Sequence, residues 1–432
     1  MRHWGTQSRT GGKQASPDAS KVVVLAANID QLYVLFNDDI TEEKNVRQLI
    51  SNLVDYSNYI GMNLPRPIFI SLNIDEADEF FEQIEVDLTN VVLYVDTKED
   101  SASHNILKQL ERKYLVPTQH ISTELEACPH ELYYDLNKKI NLKCGGKNRN
   151  NEHSSIPNDT LVVAFQMVVT PKPRKGEADP AIPNVVSFAF NALKVKSDFV
   201  SDYAFEAATS LSIQNIGDYI KHILGMFKKN RGFLPEKIIF IRSHVIESLE
   251  QQIILDTEVP RIRDACQQFS PEYSPQLAVV NFETNKKFNM YDLLQPPWKY
   301  DKFMVVGLPM TPPRIGEFVI LRKDFNQSSK NSCAILLNEV DNFFDDGLCT
   351  PLAQIISEMC TIAQTGCSKN FPEPVHQAAG YGRRGKRLLE MFKKDNKMSD
   401  YMSKTTQQID WQKITEKLAL ADTIFAERQI IC

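Results

Sequence analysis

Paired cysteines are absent from this chain. Its eight cysteines (Cys128, Cys144, Cys266, Cys333, Cys349, Cys360, Cys367 and Cys432) are scattered over 432 residues, and no two form a Cys-x-x-Cys pair. Cys128 with His130 has no second pair to complete a zinc tetrahedron. That excludes a zinc-stapled or disulfide-stapled fold and points to a reducing compartment. No apolar run is long enough to span a bilayer, and the amino terminus has no signal-peptide pattern. The expectation is a cytoplasmic protein, with the nucleus as the alternative and no membrane partner. A cationic excess is also missing: 49 Lys and Arg stand against 55 Asp and Glu, a formal net charge of -6. Such a chain is no bulk polyanion binder, so any nucleic-acid contact must rest on local patches. No internal repeat is visible.

What is present reads as alternating strands and helices. Residues 1 to about 20 are polar, without apolar periodicity, and read as a disordered tail. Val22–Ala26, Pro67–Leu72 and Val91–Val95 are apolar runs of buried-strand type. Between them Glu43–Ile60 carries Val46, Leu49, Ile50, Leu53 and Val54 at helical spacing, and Asn105–Tyr114 reads as a helix. This alternation predicts a doubly wound, Rossmann-like α/β domain over residues 21–150. A polar stretch, 147–159, separates it from a second domain, 151–432. There Leu161–Phe165, Val185–Phe190, Tyr203–Ser210 and Lys237–Ile241 read as strands. A helix around Ile213–Lys228 and further strands near 277–282, 317–321 and 333–337 complete an RNase H-like mixed sheet.

One window is basic. Lys138, Lys139, Lys143, Lys147 and Arg149 crowd together with no acid between Asp135 and Glu152. Lys139 and Lys143 stand four apart, on one face of a helix. Gly145-Gly146 then turns the chain. Two lysines beside a backbone turn make a seat for a terminal phosphate; a solvated basic helix end is the alternative on this window alone.

With these residues in view, a family resemblance emerges. Lys139-Ile140-Asn141-Leu142-Lys143-Cys144-Gly145-Gly146-Lys147-Asn148 resembles the Lys-Ile-Asn-x-Lys-x-Gly-Gly-x-Asn motif of Argonaute MID domains. Phe233-Leu234-Pro235-Glu236-Lys237-Ile238-Ile239-Phe240-Ile241-Arg242-Ser243 is similar to an Argonaute PIWI run that continues to a Glu, here Glu247. Ile262–Cys266 and Ala278–Asn281, followed by Lys286 and Lys287, extend the likeness. It spans about 21 to 432, with no counterpart of the N and PAZ domains that precede MID in a full Argonaute.

The resemblance implies a pocket for a guide's 5′ phosphate. His104, Lys108 and Gln119 fall where the family keeps a stacking Tyr, a Lys and a Gln, and Lys139 and Lys143 complete the set. His104 in place of Tyr can stack on a base or become cationic, as suits a more heavily phosphorylated end; it is similar in this to the nematode-expanded Argonautes, which bind 5′-triphosphorylated small RNAs. Arg384, within the basic run Arg383, Arg384, Lys386 and Arg387, falls near guide-backbone phosphates. Lys228, Lys229 and Arg231 read as a solvated helix end. The family's carboxy terminus lies near the pocket, which would place the carboxylate of Cys432 there.

The same resemblance implies a degenerate cleavage site. Slicing requires acidic ligands for two hard metal ions. The family's acid positions fall on Met167, Leu211 and Ser243, and its last His or Asp on Ala379. None is a carboxylate. Asp159, Glu177, Asp179, Glu247 and His376 are the nearest candidates for a relocated ligand, and read as loop or helix-surface groups. The expectation is a protein that holds single-stranded small guide RNA and complementary target RNA, needs no cofactor or metal, does not slice, and silences through effector proteins. The rival expectations are a truncated noncatalytic scaffold that no longer binds RNA, and a nuclease with relocated ligands.

Overall fold

The computed structural model describes residues 22–97, 102–123, 130–151, 154–169, 182–243, 252–286, 303–308, 317–322, 331–339, 350–364, 372–394, 397–403 and 408–430. Cys432, Glu177, Asp179, Glu247 and the amino-terminal tail lie outside them. Two sheets organise the chain.

The first sheet contains β1 (Gln31–Phe36), β2 (Ile68–Ser71), β3 (Asn90–Asp96) and β4 (Thr118–Ser122) in the order β2-β1-β3-β4, all parallel. Helices α1 (Glu43–Tyr59), α2 (Asp78–Glu82), α3 (Ala102–Tyr114) and α4 (His130–Lys143) accompany it. β3 is buried along its whole length, as a central parallel strand covered on both faces must be. Leu49, Ile50 and Leu53 of α1 pack with Leu136 and Ile140 of α4 on one face, and Leu107 and Leu110 of α3 pack on the other. This is the expected Rossmann-like arrangement, with one correction. The apolar run Val22–Ala26 is not a strand: Val24 and Leu25 are exposed, and only an isolated bridge joins Leu25 to Lys147. The first strand is Gln31–Phe36, whose neighbours β2 and β3 satisfy its backbone on both sides.

The second sheet has eight strands in the order β10-β11-β12-β9-β8-β5-β6-β7. They are β5 (Thr160–Val168), β6 (Asn184–Phe190), β7 (Val200–Glu206), β8 (Lys237–Ser243), β9 (Gln276–Lys286), β10 (Phe303–Leu308), β11 (Glu317–Arg322) and β12 (Asn331–Glu339). β5, β6 and β7 form an antiparallel meander, while β8 pairs parallel with both β5 and β9. Alternation along β5 divides the core: Leu161, Val163 and Phe165 face α5 (Ile216–Arg231) and α6 (Val259–Phe269), while Val162 and Ala164 face α7 (Thr350–Met359). The long helix α8 (Glu373–Lys394) crosses the α7 face of β5–β7, and α9 (Trp411–Leu418) packs beside it. The RNase H-like mixed sheet expected for the second half is thus present.

Candidate nucleic-acid interface and the strand-end acid positions

The basic motif splits into residues that build the helix end and charges that turn inward. Helix α4 ends immediately after Lys143. The Gly146 amide donates to the Asn141 carbonyl (2.8 Å) and the Gly145 amide to that of Leu142 (3.1 Å), with Gly145 at φ 89°. This pairing closes the helix end in a left-handed cap. A Cβ on Gly146 would lie 2.0 Å from the Asn141 Oδ1, so both glycines are required by geometry. Asn141 binds the preceding segment, accepting from the Ala27 amide (2.7 Å) and donating to the Leu25 carbonyl (3.0 Å). Asn148 donates to the carbonyls of Lys138 and Gln364, joining α4 to the second sheet's layer.

The charges of the run disperse. Lys138 is buried with its Nζ 3.9 Å from the Tyr134 ring centroid, Lys147 pairs with Asp198 (3.1 Å), and Arg149 donates to the Thr361 carbonyl. Lys139 is half-buried, one turn back from Lys143. Lys143 points inward.

There Lys143 meets Lys108, Gln119 and Arg384. Lys108, Lys143 and Arg384 retain 6%, 1% and 2% of their exposure, and Glu111 at their centre retains 0%. The Lys108 Nζ lies 3.2 Å from the Glu111 Oε2, the Lys143 Nζ 3.6 Å from its Oε1, and the Arg384 Nη1 2.9 Å from its Oε2. Gln119 accepts from Lys143 (3.3 Å) through its Oε1 and donates to the His120 carbonyl. Thr118 accepts from both lysines through its carbonyl and donates its own amide to Glu111. Leu115, at φ 56°, supplies the reversal that returns the chain from α3 over Lys108.

The electrostatics follow from burial and crowding. Burial, the largest influence on Glu111, works to raise its pKa. Lys108, Lys143 and Arg384 overcome it and hold the carboxyl well below its ordinary range. Burial pulls Lys108 well below the ordinary lysine value; Glu111 opposes this, while Lys143 and Arg384 reinforce it. Its three protons face the Glu111 oxygens and the Thr118 carbonyl and hydroxyl, the surroundings of an ammonium.

His104 is brought to the edge of this cluster, its ring 5.4 Å from that of His120 in edge-to-face contact. Burial first, then the charges of Lys108, His120, Arg387 and Lys143, push its pKa down to about 3. Of the two roles open to His104, stacking on a base or becoming cationic, these surroundings disfavour the cation and leave the ring as an aromatic surface.

Two features escaped the sequence. Arg384, expected along the guide backbone, enters the same cluster from α8. Glu111 is not legible because an acid on an amphipathic helix ordinarily reads as a solvated charge.

The acid positions of the second sheet lie at the carboxy-terminal ends of β5 and β8. The ladder pairs Gln166, not Met167, with Ser243. Gln166 continues the face of Val162 and Ala164, and Ser243 that of Ile239 and Ile241, whereas Met167 packs against the opposite core. A pair of metal ligands on these strands would therefore use position 166 and not the expected 167. Gln166 brings an amide whose Oε1 is buried without a hydrogen-bond partner, and the Ser243 hydroxyl donates to the Phe165 carbonyl (3.4 Å). Leu211 is exposed in the loop after β7. The acid preceding it, Glu206, accepts from the Gln214 and Asn215 amides and the Tyr219 hydroxyl, and so holds the start of α5.

Ala379 lies on α8, which approaches the sheet closely: Cβ atoms on Gly382 and Gly385 would stand 2.8 Å from the Ser187 Oγ and 2.6 Å from the Tyr203 ring. Asp159 precedes β5 at the opposite end of the strand from Ser243, and His376 sits in the first turn of α8. Gln166, Met167, Ser243, Leu211 and Ala379 supply no carboxylate, so this donor set does not fit Mg²⁺. Among the described residues no three His, Cys, Asp or Glu side chains gather as metal ligands, and no helix is long and apolar enough to cross a membrane.

These geometries have counterparts in known proteins. The Piwi domain family matches residues 90–307, half of the chain. Argonaute protein wago-1 of Caenorhabditis elegans is 23% identical over 365 residues, covering 80% of this chain and 38% of that protein. Kluyveromyces polysporus Argonaute, solved with a guide RNA, superposes with a TM-score of 0.72 at 18% identity, over 91% of this chain and 51% of its own. The MID-PIWI domains of N. crassa QDE-2 superpose with a TM-score of 0.60 at 15% identity, over 92% of this chain and 95% of theirs. The chain thus spans about two-fifths of the nematode relative. Its motif-built helix end, its two sheets and these matches together place it in the Argonaute family, of whose fold it carries the MID–PIWI portion.

Proposed function

We propose that the chain holds the 5′ end of a small single-stranded guide RNA at the Lys108–Lys143–Arg384 cluster. It pairs that guide with complementary target RNA and silences the target without cutting it. The observation that carries this reading is the convergence of three buried cations, from α3, α4 and α8, on one anion position. A terminal phosphate concentrates its charge at one point, which suits such a focus better than an extended backbone does. Gln119 adds a neutral polar group, and neutral His104 a ring on which a first base stacks. The yeast structure, bound to a guide RNA, supports the same reading by likeness of fold. Silencing without cleavage is supported by the amide, thioether, hydroxyl and alkyl groups at the acid positions. It requires recruited effector proteins, with the cytoplasm as the place of action.

The test compares one RNA sequence carrying either a 5′ phosphate or a 5′ hydroxyl. The phosphorylated form binds the wild type at least about tenfold more tightly, and Lys143→Met removes that preference while leaving hydroxyl-ended binding unchanged. Equal binding of the two ends in the wild type defeats the reading. Mg²⁺-dependent cleavage of a guide-matched target overturns its non-slicing half. One observation favours a second reading, a scaffold that binds no RNA: Lys108 and Lys143 already have internal acceptors in Thr118, Gln119 and Glu111. Failure to bind either oligomer is the outcome that reading requires.

A further inference from the structure

Glu111 is the one charged member of the cluster that guide binding does not use. A carboxylate with no exposure is costly to bury unless its lone pairs are filled. Here they are filled. The Oε2 takes the Arg384 Nη1 at 2.9 Å and the Lys108 Nζ at 3.2 Å. The Oε1 takes the Thr118 amide at 2.8 Å and the Thr118 hydroxyl at 3.1 Å, with the Lys143 Nζ at 3.6 Å. Three cations and a backbone amide around two oxygens are the surroundings an oxyanion of a phosphate would seek. The carboxylate stands at the focus of the charges that would hold the guide.

We infer that Glu111 is an internal counter-anion that competes with the guide's 5′ phosphate for Lys108, Lys143 and Arg384, and so determines the pocket's selectivity for charged 5′ ends. The inference rests on the guide-binding reading. A phosphate monoester carries about -1.5 to -2 near neutral pH, against one negative charge on the carboxylate. Exchange of the carboxylate for the phosphate is therefore favourable at a site with three cations. A 5′ hydroxyl offers no charge with which to displace Glu111, and the cluster stays closed on its own acid. The same device keeps the three cations from being buried together without an anion when no guide is bound, a state in which like charges would repel.

The test measures binding of the 5′-phosphorylated and 5′-hydroxyl forms of one short RNA to wild type and Glu111→Gln. Gln keeps an oxygen for the Thr118 amide and removes the competing charge. Affinity for the phosphorylated form rises by roughly tenfold or more in Glu111→Gln, because a like charge leaves a partly desolvated site, while hydroxyl-ended binding is unchanged. Thermal unfolding adds an independent readout: Glu111→Gln melts lower than wild type without RNA and gains more than wild type on adding the phosphorylated oligomer.

Should Glu111→Gln not fold, Lys108→Met with Glu111→Gln restores the wild-type net charge of the cluster. That double variant binds the phosphorylated oligomer at least as well as wild type despite losing a lysine, whereas Lys108→Met alone binds more weakly. Weaker or unchanged phosphate binding in Glu111→Gln, or a double variant weaker than wild type, overturns the inference. A wild type indifferent to the 5′ phosphate defeats the guide-binding reading, and the inference with it. A preserved preference with no gain on removing Glu111 defeats the inference alone.

Discussion

The cation cluster beside β4 and the acid positions at the ends of β5 and β8 are both buried polar sites, and they differ in how many charged and polar groups converge on one point. Around Glu111 each cation has an acceptor: those acceptors come from α3 and β4, and the cations reach them from α3, α4 and α8. At the strand ends, among the described residues, the side-chain oxygen of Gln166 is buried without a hydrogen-bond partner, and the Ser243 hydroxyl makes a long contact to the Phe165 carbonyl. Polar groups out of water persist when they are satisfied or when nothing selects against them. The first site gathers three cations around one carboxylate, whereas among the described residues no charged group converges on Gln166 and Ser243.

That contrast can be broken most sharply at Arg384. Arg384→Met removes one arm of a fully buried ion cluster and should cost about 3–5 kcal/mol, measured by chemical denaturation, since the remaining charges lose a desolvated partner. A loss below 1 kcal/mol would mean the cluster is looser than its geometry. Next in size, Gly146→Ala forces a Cβ against the Asn141 side chain. It should cost about 1–3 kcal/mol and weaken the joint between α4 and the Leu25–Ala27 segment, seen as faster amide exchange at Ala27.

A pH profile separates the sites more gently. The pKa of His104 is depressed from 6.5 to about 3 by burial and by Lys108, His120, Arg387 and Lys143. The unfolded chain therefore binds its proton first. The contribution of His104 is intact above pH 6.5 and is lost as pH falls from there toward 3. His104→Phe should flatten that part of the stability profile, and an unchanged slope would show that His104 does not titrate as described. The smallest effect belongs to the strand ends: Gln166→Met should be neutral or stabilising by up to about 1 kcal/mol, because it removes an unsatisfied buried oxygen. A clear loss would show that Gln166 has a partner of its own.

Legibility in the sequence followed burial. Asn90–Asp96, Thr160–Val168, Asn184–Phe190 and Lys237–Ser243 were readable because central strands are apolar on both faces. The helix Glu43–Tyr59 was readable from its apolar stripe. Val22–Ala26 misled because an apolar run specifies a strand only when a neighbouring strand is present. Gln31–Phe36 is hard to read as a strand because its apolar run is short and opens on Gln31. The long helix Glu373–Lys394 was hidden by Gly380, Gly382 and Gly385, which resemble breakers; the latter two let the helix press against Ser187 and Tyr203. At the site, the resemblance to Argonaute MID domains points to Lys108, Gln119 and Lys143, while nothing in it points to Glu111 or to the place of Arg384 in the same cluster.

The sequence by itself determined the alternation of strands and helices and the motif that ends α4 behind Lys143. These are local patterns, set by side-chain periodicity and by the backbone freedom of two glycines. Only the tertiary structure decided that Gln166 rather than Met167 faces Ser243, because a face depends on register with a strand far along the chain. It also decided that an acid of α3 lies buried among Lys108, Lys143 and Arg384. Arg384 is 273 positions from Glu111, and charges so far apart in the chain are paired by packing rather than by sequence.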